Sequence, residues 1–244
     1  MLKTTCIRML VCGASVLLAV TIGSAVSETE TSSNCVANGL VNVEDGSLPL
    51  PSGAKKVFTE DFNAGGNATD QWDVVSGNWA IRDGALCGSN GALLVLKREL
   101  GSNLRVEYTA WSDDKSPCDL TAVLGSNGGL QPGCTFQFGG SLNSRNAICF
   151  NGTYLIVQEG GTFPGGIVKG KKHRIIAQNN GHDLVLFVDG KLLIQAHSFL
   201  AGPGALGTKA GFYIYTSGAI DDVTIYALQE DAGVPAWRRT RRQP

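Results

Sequence analysis

The chain has 244 residues, 32 of them glycine, only 17% charged, and a formal net charge of −1. So much glycine and so little charge fit a turn-rich β protein better than a helical one. The near-neutral total hides an asymmetry: residues 28–236 carry 14 Lys and Arg against 21 Asp and Glu, while the last eight residues hold four arginines. An acidic body argues against nucleic acid as the main partner. The basic tail, residues 230–244, either touches an acidic surface or stays solvated.

Lys3 and Arg8 precede an apolar run of 13 residues, Leu10 to Ile22, and Gly23-Ser24-Ala25 follows. That pattern predicts a secretory signal peptide over residues 1–27, because a membrane-spanning helix needs about 20 apolar residues. No other segment is long and apolar enough to span a bilayer as a helix. The expectation is an exported protein that is periplasmic, cell-surface or secreted. Residues 28–55 are rich in Ser, Thr, Asn, Glu and Pro and read as a linker. One domain of the size that β-sandwiches fill is expected over 56–229.

The domain opens with a strand at Val57–Phe62. Trp72–Leu86 follows as two strands around Asp83-Gly84, with Trp79 and Ile81 on one face. Trp72 and Trp79 are either core or a platform for sugar, and core is the expected role. Ala92–Lys97 is read as a separate strand. On Asn103–Trp111, Leu104, Val106, Tyr108 and Ala110 alternate with Arg105, Glu107, Thr109 and Trp111. The first set is expected in the core and the second lining a groove.

Asp113, Asp114 and Asp119 bracket the next loop. Three carboxylates suit calcium, but their spacing matches no calcium loop, and a solvated turn is the simpler expectation. Leu120, Ala122, Leu124, Phe136 and Phe138 are expected in the core, with Gln137 on the opposite face. Asn143, Arg145 and Asn146 occupy a Gly-rich turn. Their amides and guanidinium suit sugar hydroxyls, or satisfy the turn's own backbone. Among the cysteines left after cleavage, Cys118 and Cys134 flank one loop and are the first candidates for a disulfide. The alternative is that Cys87, Cys134 and Cys149 are small buried hydrophobes.

Strands follow at Tyr154–Gln158, His173–Asn179, Asp183–Val188 and Lys191–Ala196. Asp189-Gly190 between apolar runs predicts a tight hairpin turn. Both faces of Asp183–Val188 are apolar, which places that strand inside a two-layer β structure. Ala210–Thr216 and Ala219–Leu228 close the domain.

His173–Ile194 resembles a stretch of concanavalin A-like β-sandwiches, a group that includes laminin-G-like domains and the 3-keto-disaccharide hydrolase domain. Trp72–Leu86 and the closing Gly211–Leu228 resemble runs of the latter domain. The resemblance implies an all-β, two-sheet antiparallel jelly-roll sandwich. It is much less specific for function, since that fold hosts lectins, hydrolases and adhesion modules.

The E-x-D-x-x-E pattern of laminarinase-type glucanases is absent, as are a G-x-S-x-G elbow and any C-x-x-C pair. The expectation is therefore a lectin-like module binding a glycan or cell-surface polysaccharide, with Arg105, Glu107, Trp111, Gln137, Asn143 and Arg145 as contacts. The alternatives are a glycoside hydrolase with Glu107 as acid or base, and a structural envelope protein. No cofactor is called for beyond the calcium option.

Overall fold

The computed structural model describes residues 48–201 and 205–229. The expected signal peptide, most of the linker, Cys35 and the arginine tail lie outside the described residues. Thirteen strands follow in chain order: β1 Lys55–Glu60, β2 Trp72–Arg82, β3 Ala85–Leu96, β4 Leu104–Trp111, β5 Thr121–Ser126, β6 Cys134–Gly139 and β7 Arg145–Phe150 come first. They are followed by β8 Thr153–Glu159, β9 His173–Asn180, β10 Asp183–Val188, β11 Lys191–His197, β12 Lys209–Ile214 and β13 Ser217–Ala227. The Asp83-Gly84 and Asp189-Gly190 turns have positive φ at both positions (50° and 72°, 50° and 77°), as a two-residue hairpin loop of this kind requires.

The strands form one continuous hydrogen-bonded ladder, β11-β10-β9-β4-β13-β3-β12-β5-β6-β7-β8, with β1 on β13 and β2 on β3. The ladder folds over on itself, so that β11 lies against β7 and β8, and β4 and β9 lie against β5. The result is a jelly-roll-like sandwich of two antiparallel layers.

The fold-over happens within β3. The expected separate strand at Ala92–Lys97 is instead the second half of this one long strand. Leu86–Ser89 pairs with β13 in the first layer, and Ala92–Val95 pairs with β12 in the second. Between the halves Asn90 and Gly91 both have φ of 64°. Asn90 and Gly91 are the bend that carries the strand between layers. β2 follows it with register shifts on both sides of Ser76, and Gly77 (φ 69°) lies so close to Ala92 that no Cβ fits.

Alternation on β4 places Leu104, Val106, Tyr108 and Ala110 in the core at 0% exposure. They meet Leu120, Ala122, Leu124, Phe136 and Phe138 from the opposite layer. Phe58, Trp72, Phe212 and Tyr108 form a chain of ring contacts with centroids 4.9–5.6 Å apart. The Tyr108 hydroxyl donates to the Leu120 carbonyl at 3.1 Å, which satisfies a phenol whose burial pushes its pKa well up.

Strand β10 is dry on both sides. Leu184, Leu186 and Val188 join the main core, while Val185 and Phe187 pack outside with Ile176, Leu192 and Leu48. Leu48 belongs to the stretch read as linker, so the end of that stretch already lies on the first layer.

The expected Cys118–Cys134 bridge is not formed; Cys87, Cys118, Cys134 and Cys149 are all free thiols. Register explains this. Cys134 sits opposite Leu124, while the Asp119 N–H bonds the Gly139 carbonyl at the other end of the same hairpin. β6 runs from Cys134 to Gly139, so about 16 Å of strand separates the two ends, and a disulfide tolerates a Cα separation of about 7 Å at most. Cys134 and Cys149 are buried, and desolvation pushes the Cys134 thiol up to about 12. Among the described residues no helix is long and apolar enough to cross a membrane.

Candidate functional site

The outer side of β4 carries Arg105, Glu107, Thr109 and Trp111, but it is not uniformly open. Arg105 is only 2% exposed. Its Nε donates to Glu107 Oε1 at 2.7 Å, and its two terminal nitrogens donate to the Pro49 and Leu48 carbonyls at 2.9 and 2.5 Å. Burial lowers its pKa, and the Glu107 carboxylate opposes that shift. The other Glu107 oxygen accepts from Arg174 at 3.0 Å. Arg105 and Glu107 thus tie the Leu48–Pro49 segment to the sheet, and guanidinium donors occupy both Glu107 oxygens. The expectation of a wet surface along the whole strand is corrected: the half of β4 near Arg105 is covered.

The other end is open. A cavity of about 420 Å³ lies beside Trp111. Strand register explains its shape. Ala80, Cys87, Ala219 and Trp111 are successive cross-strand partners on β2, β3, β13 and β4. Partners in register share a face, so this row is three small side chains ending at an indole. Beside it runs a polar row, Asn78–Ser89–Ser217. Arg82, Asp83 and Asp113 also line it. The small residues let the floor sink, and Trp111 forms a wall above it. Lys172 places its Nζ 4.3 Å from the centroid of the Trp111 ring.

Trp79 also borders this trough. Its neighbour in register, Gly88, has no side chain; a Cβ there would meet the indole at 2.7 Å. Trp79 packs against the main core, as expected of it.

The three loop carboxylates have separate surroundings. Asp113 lines the trough. Asp114 accepts from the Ser116 N–H at 2.9 Å and the Ser217 hydroxyl at 3.1 Å, and these bonds, the Ser116 N–H foremost, hold its pKa down. Asp119 is buried at 7% exposure, with φ of 58°; its Oδ2 accepts from the Cys118 thiol at 3.0 Å, and burial raises its pKa. Among the described residues no group of three or more His, Cys, Asp or Glu is placed to hold a metal ion.

Gln137, Asn143 and Arg145 belong to the second layer and its loops, so the expected contact set is divided between the two layers. Asn143 is committed to structure: its amide donates to the Ile167 carbonyl and accepts from the Ile167 N–H, both at 2.8 Å. That clamp holds a turn in which Ser141, Leu142 and Asn143 all have positive φ. Arg145 stacks 4.4 Å from the Tyr154 ring centroid and donates to its hydroxyl. Gln137 Oε1 and Asp119 Oδ1 are buried without a hydrogen-bond partner around Gly140.

Of the expected contacts, only Trp111 reaches the open trough. Ala80, Cys87, Ser89, Ser217, Ala219 and Lys172 were not anticipated. Small residues alternating on three strands were visible in the sequence, but their adjacency depends on a strand order that local pattern does not reveal.

No family model matches this chain, and no curated protein does. Solved structures share its fold. The carbohydrate binding module CBM66 from Bacillus subtilis is 17% identical with a TM-score of 0.54, covering 64% of this chain and 96% of that one. SCLam, a non-specific endo-β-1,3(4)-glucanase from family GH16, gives 0.57 at 10% identity, over 75% and 94% of the two chains. A Bacillus subtilis protein of unknown function with a galectin-like fold gives 0.55 at 9% identity, over 72% and 100%. What this chain shares with them is the jelly-roll β-sandwich fold.

Proposed function

We propose that this is an exported carbohydrate-binding module that takes a sugar of a glycan or cell-surface polysaccharide in the trough beside Trp111. One observation carries the reading: a half-exposed indole stands at the end of a floor made of Ala80, Cys87 and Ala219, with Asn78, Ser89 and Ser217 alongside. A pyranose ring presents apolar C–H faces that stack on an aromatic ring, while its hydroxyls need short polar side chains at the rim. The carbohydrate-binding module CBM66 among the structural neighbours supports it. Export rests on the signal-peptide pattern of residues 1–27.

Glycan-array screening of the mature chain tests this. Trp111→Ala is expected to weaken binding to any retained glycan by about 30-fold or more, the effect of losing a central aromatic contact worth about 2 kcal/mol. Its melting temperature is expected to stay near that of the parent, because Trp111 lies outside the core. Unchanged affinity, or release of sugar from the bound glycan, would overturn the reading.

A further inference from the structure

The Trp111 wall is contacted by a loop, and that loop is organised by one imidazole. His173 is 2% exposed. Its Nδ1 lies 2.9 Å from Asp189 Oδ2, and its Nε2 accepts the Val168 N–H at 3.2 Å. Nε2 is therefore the acceptor and Nδ1 carries the hydrogen. Val168 in turn closes a tight turn, its carbonyl accepting the Lys171 N–H at 3.0 Å. From that turn Gly170 N–H reaches the Ser112 carbonyl at 2.9 Å, next to Trp111, and Lys172 lies over the Trp111 ring.

The surroundings of the ring are defined. Asp189, from the β10–β11 turn, faces Nδ1 and also accepts from Lys171 at 2.6 Å and from the Arg174 N–H at 2.9 Å. Burial alone would raise its pKa, but these bonds outweigh burial and hold it low. Strand β6 offers the Phe138 ring, centroids 5.0 Å apart, and β4 offers Ala110 across the ladder. A proton arriving at Nε2 is welcomed by Asp189 but turns the acceptor for Val168 into a second N–H. Two donors then face each other, and the turn must give way.

We propose that His173 is the positioning residue of the trough, and that its protonation releases the Val168–Lys172 turn and with it the contact of Lys172 on Trp111. The consequence for sugar binding rests on the function proposed above. The latch itself does not, and it can be read without any ligand.

The test is the fluorescence of Trp111 in the full mature chain, taken as the difference from a Trp111→Phe variant. The signal is followed as the pH is lowered from neutral to the acid edge of the folded range. A single-proton step in the Trp111 signal is expected. His173→Gln, whose side-chain oxygen accepts from Val168 N–H but does not titrate, should abolish the step. Lys172→Met, which removes the ammonium from the ring without touching the latch, should abolish it too and serves if His173→Gln does not fold. A flat parent titration, or an unchanged step in either folded variant, overturns the proposal. With a glycan from the array, affinity is expected to fall several-fold over the same range. A Trp111 step without a change in affinity leaves the latch standing and counts against the trough as the sugar site.

Discussion

Trp72→Ala is expected to destabilise the domain by about 3–5 kcal/mol, the usual range for deleting a buried tryptophan, and to lower the melting temperature by roughly 10 °C. Trp72 is 2% exposed. It lies between Phe58 and Phe212, with ring centroids 5.6 Å away on either side. These rings come from β1, β2 and β12, so the void left by alanine opens where strands remote in sequence meet. The indole N–H has no partner, and its loss returns a little of that cost, but the lost packing of two rings dominates. Denaturant unfolding followed by circular dichroism measures the difference. A loss below about 1 kcal/mol would mean that the site collapses freely and is not the close-packed centre described here. The contrast with Trp111 is the useful one. One indole is expected to cost stability and no specificity, the other binding and little stability.

Arg105→Met is expected to cost about 3 kcal/mol, because breaking a buried ion pair strands its partners. Methionine fills much of the same volume, so the loss reports the polar contacts. It leaves the Leu48 and Pro49 carbonyls without their donor and Glu107 with Arg174 alone. The first visible consequence should be local. Leu48 covers Ile176, Val185 and Phe187 on the outer face, and a freed Leu48–Pro51 segment should become the earliest site of limited proteolysis. Equal cleavage rates in parent and variant would show that Arg105 does not hold the segment.

The hairpins were legible because their signals are local. Asp83-Gly84 and Asp189-Gly190 need only two adjacent residues that accept positive φ, and the alternation on β4 needs only its own period. What stayed hidden depends on strand neighbours. Ala92–Lys97 reads as a separate strand, yet it continues β3 past the Asn90-Gly91 bend, because β3 has a partner on each side of that bend in different layers. Arg105 and Trp111 share one strand face, and nothing in that strand says that Leu48 and Pro49 cross over the first and not the second. Cys118 and Cys134 look adjacent across a loop, but they mark opposite ends of the β5–β6 hairpin. Gln137 and Arg145 share only chemical type with Trp111, and the fold assigns them to the other layer.

Cys87 offers the most direct test of the trough. It lies half-buried on the trough floor, whereas Cys118, Cys134 and Cys149 are buried. Desolvation raises its thiol pKa, so labelling by a maleimide should be slow and measurable, with the modified peptide identified by mass spectrometry. A glycan retained on the array, added at saturation, is expected to slow labelling at Cys87 by about tenfold or more, as occupancy above 90% requires. Labelling at Cys87 that proceeds at the same rate with the glycan fully bound would place the sugar elsewhere and contradict the account.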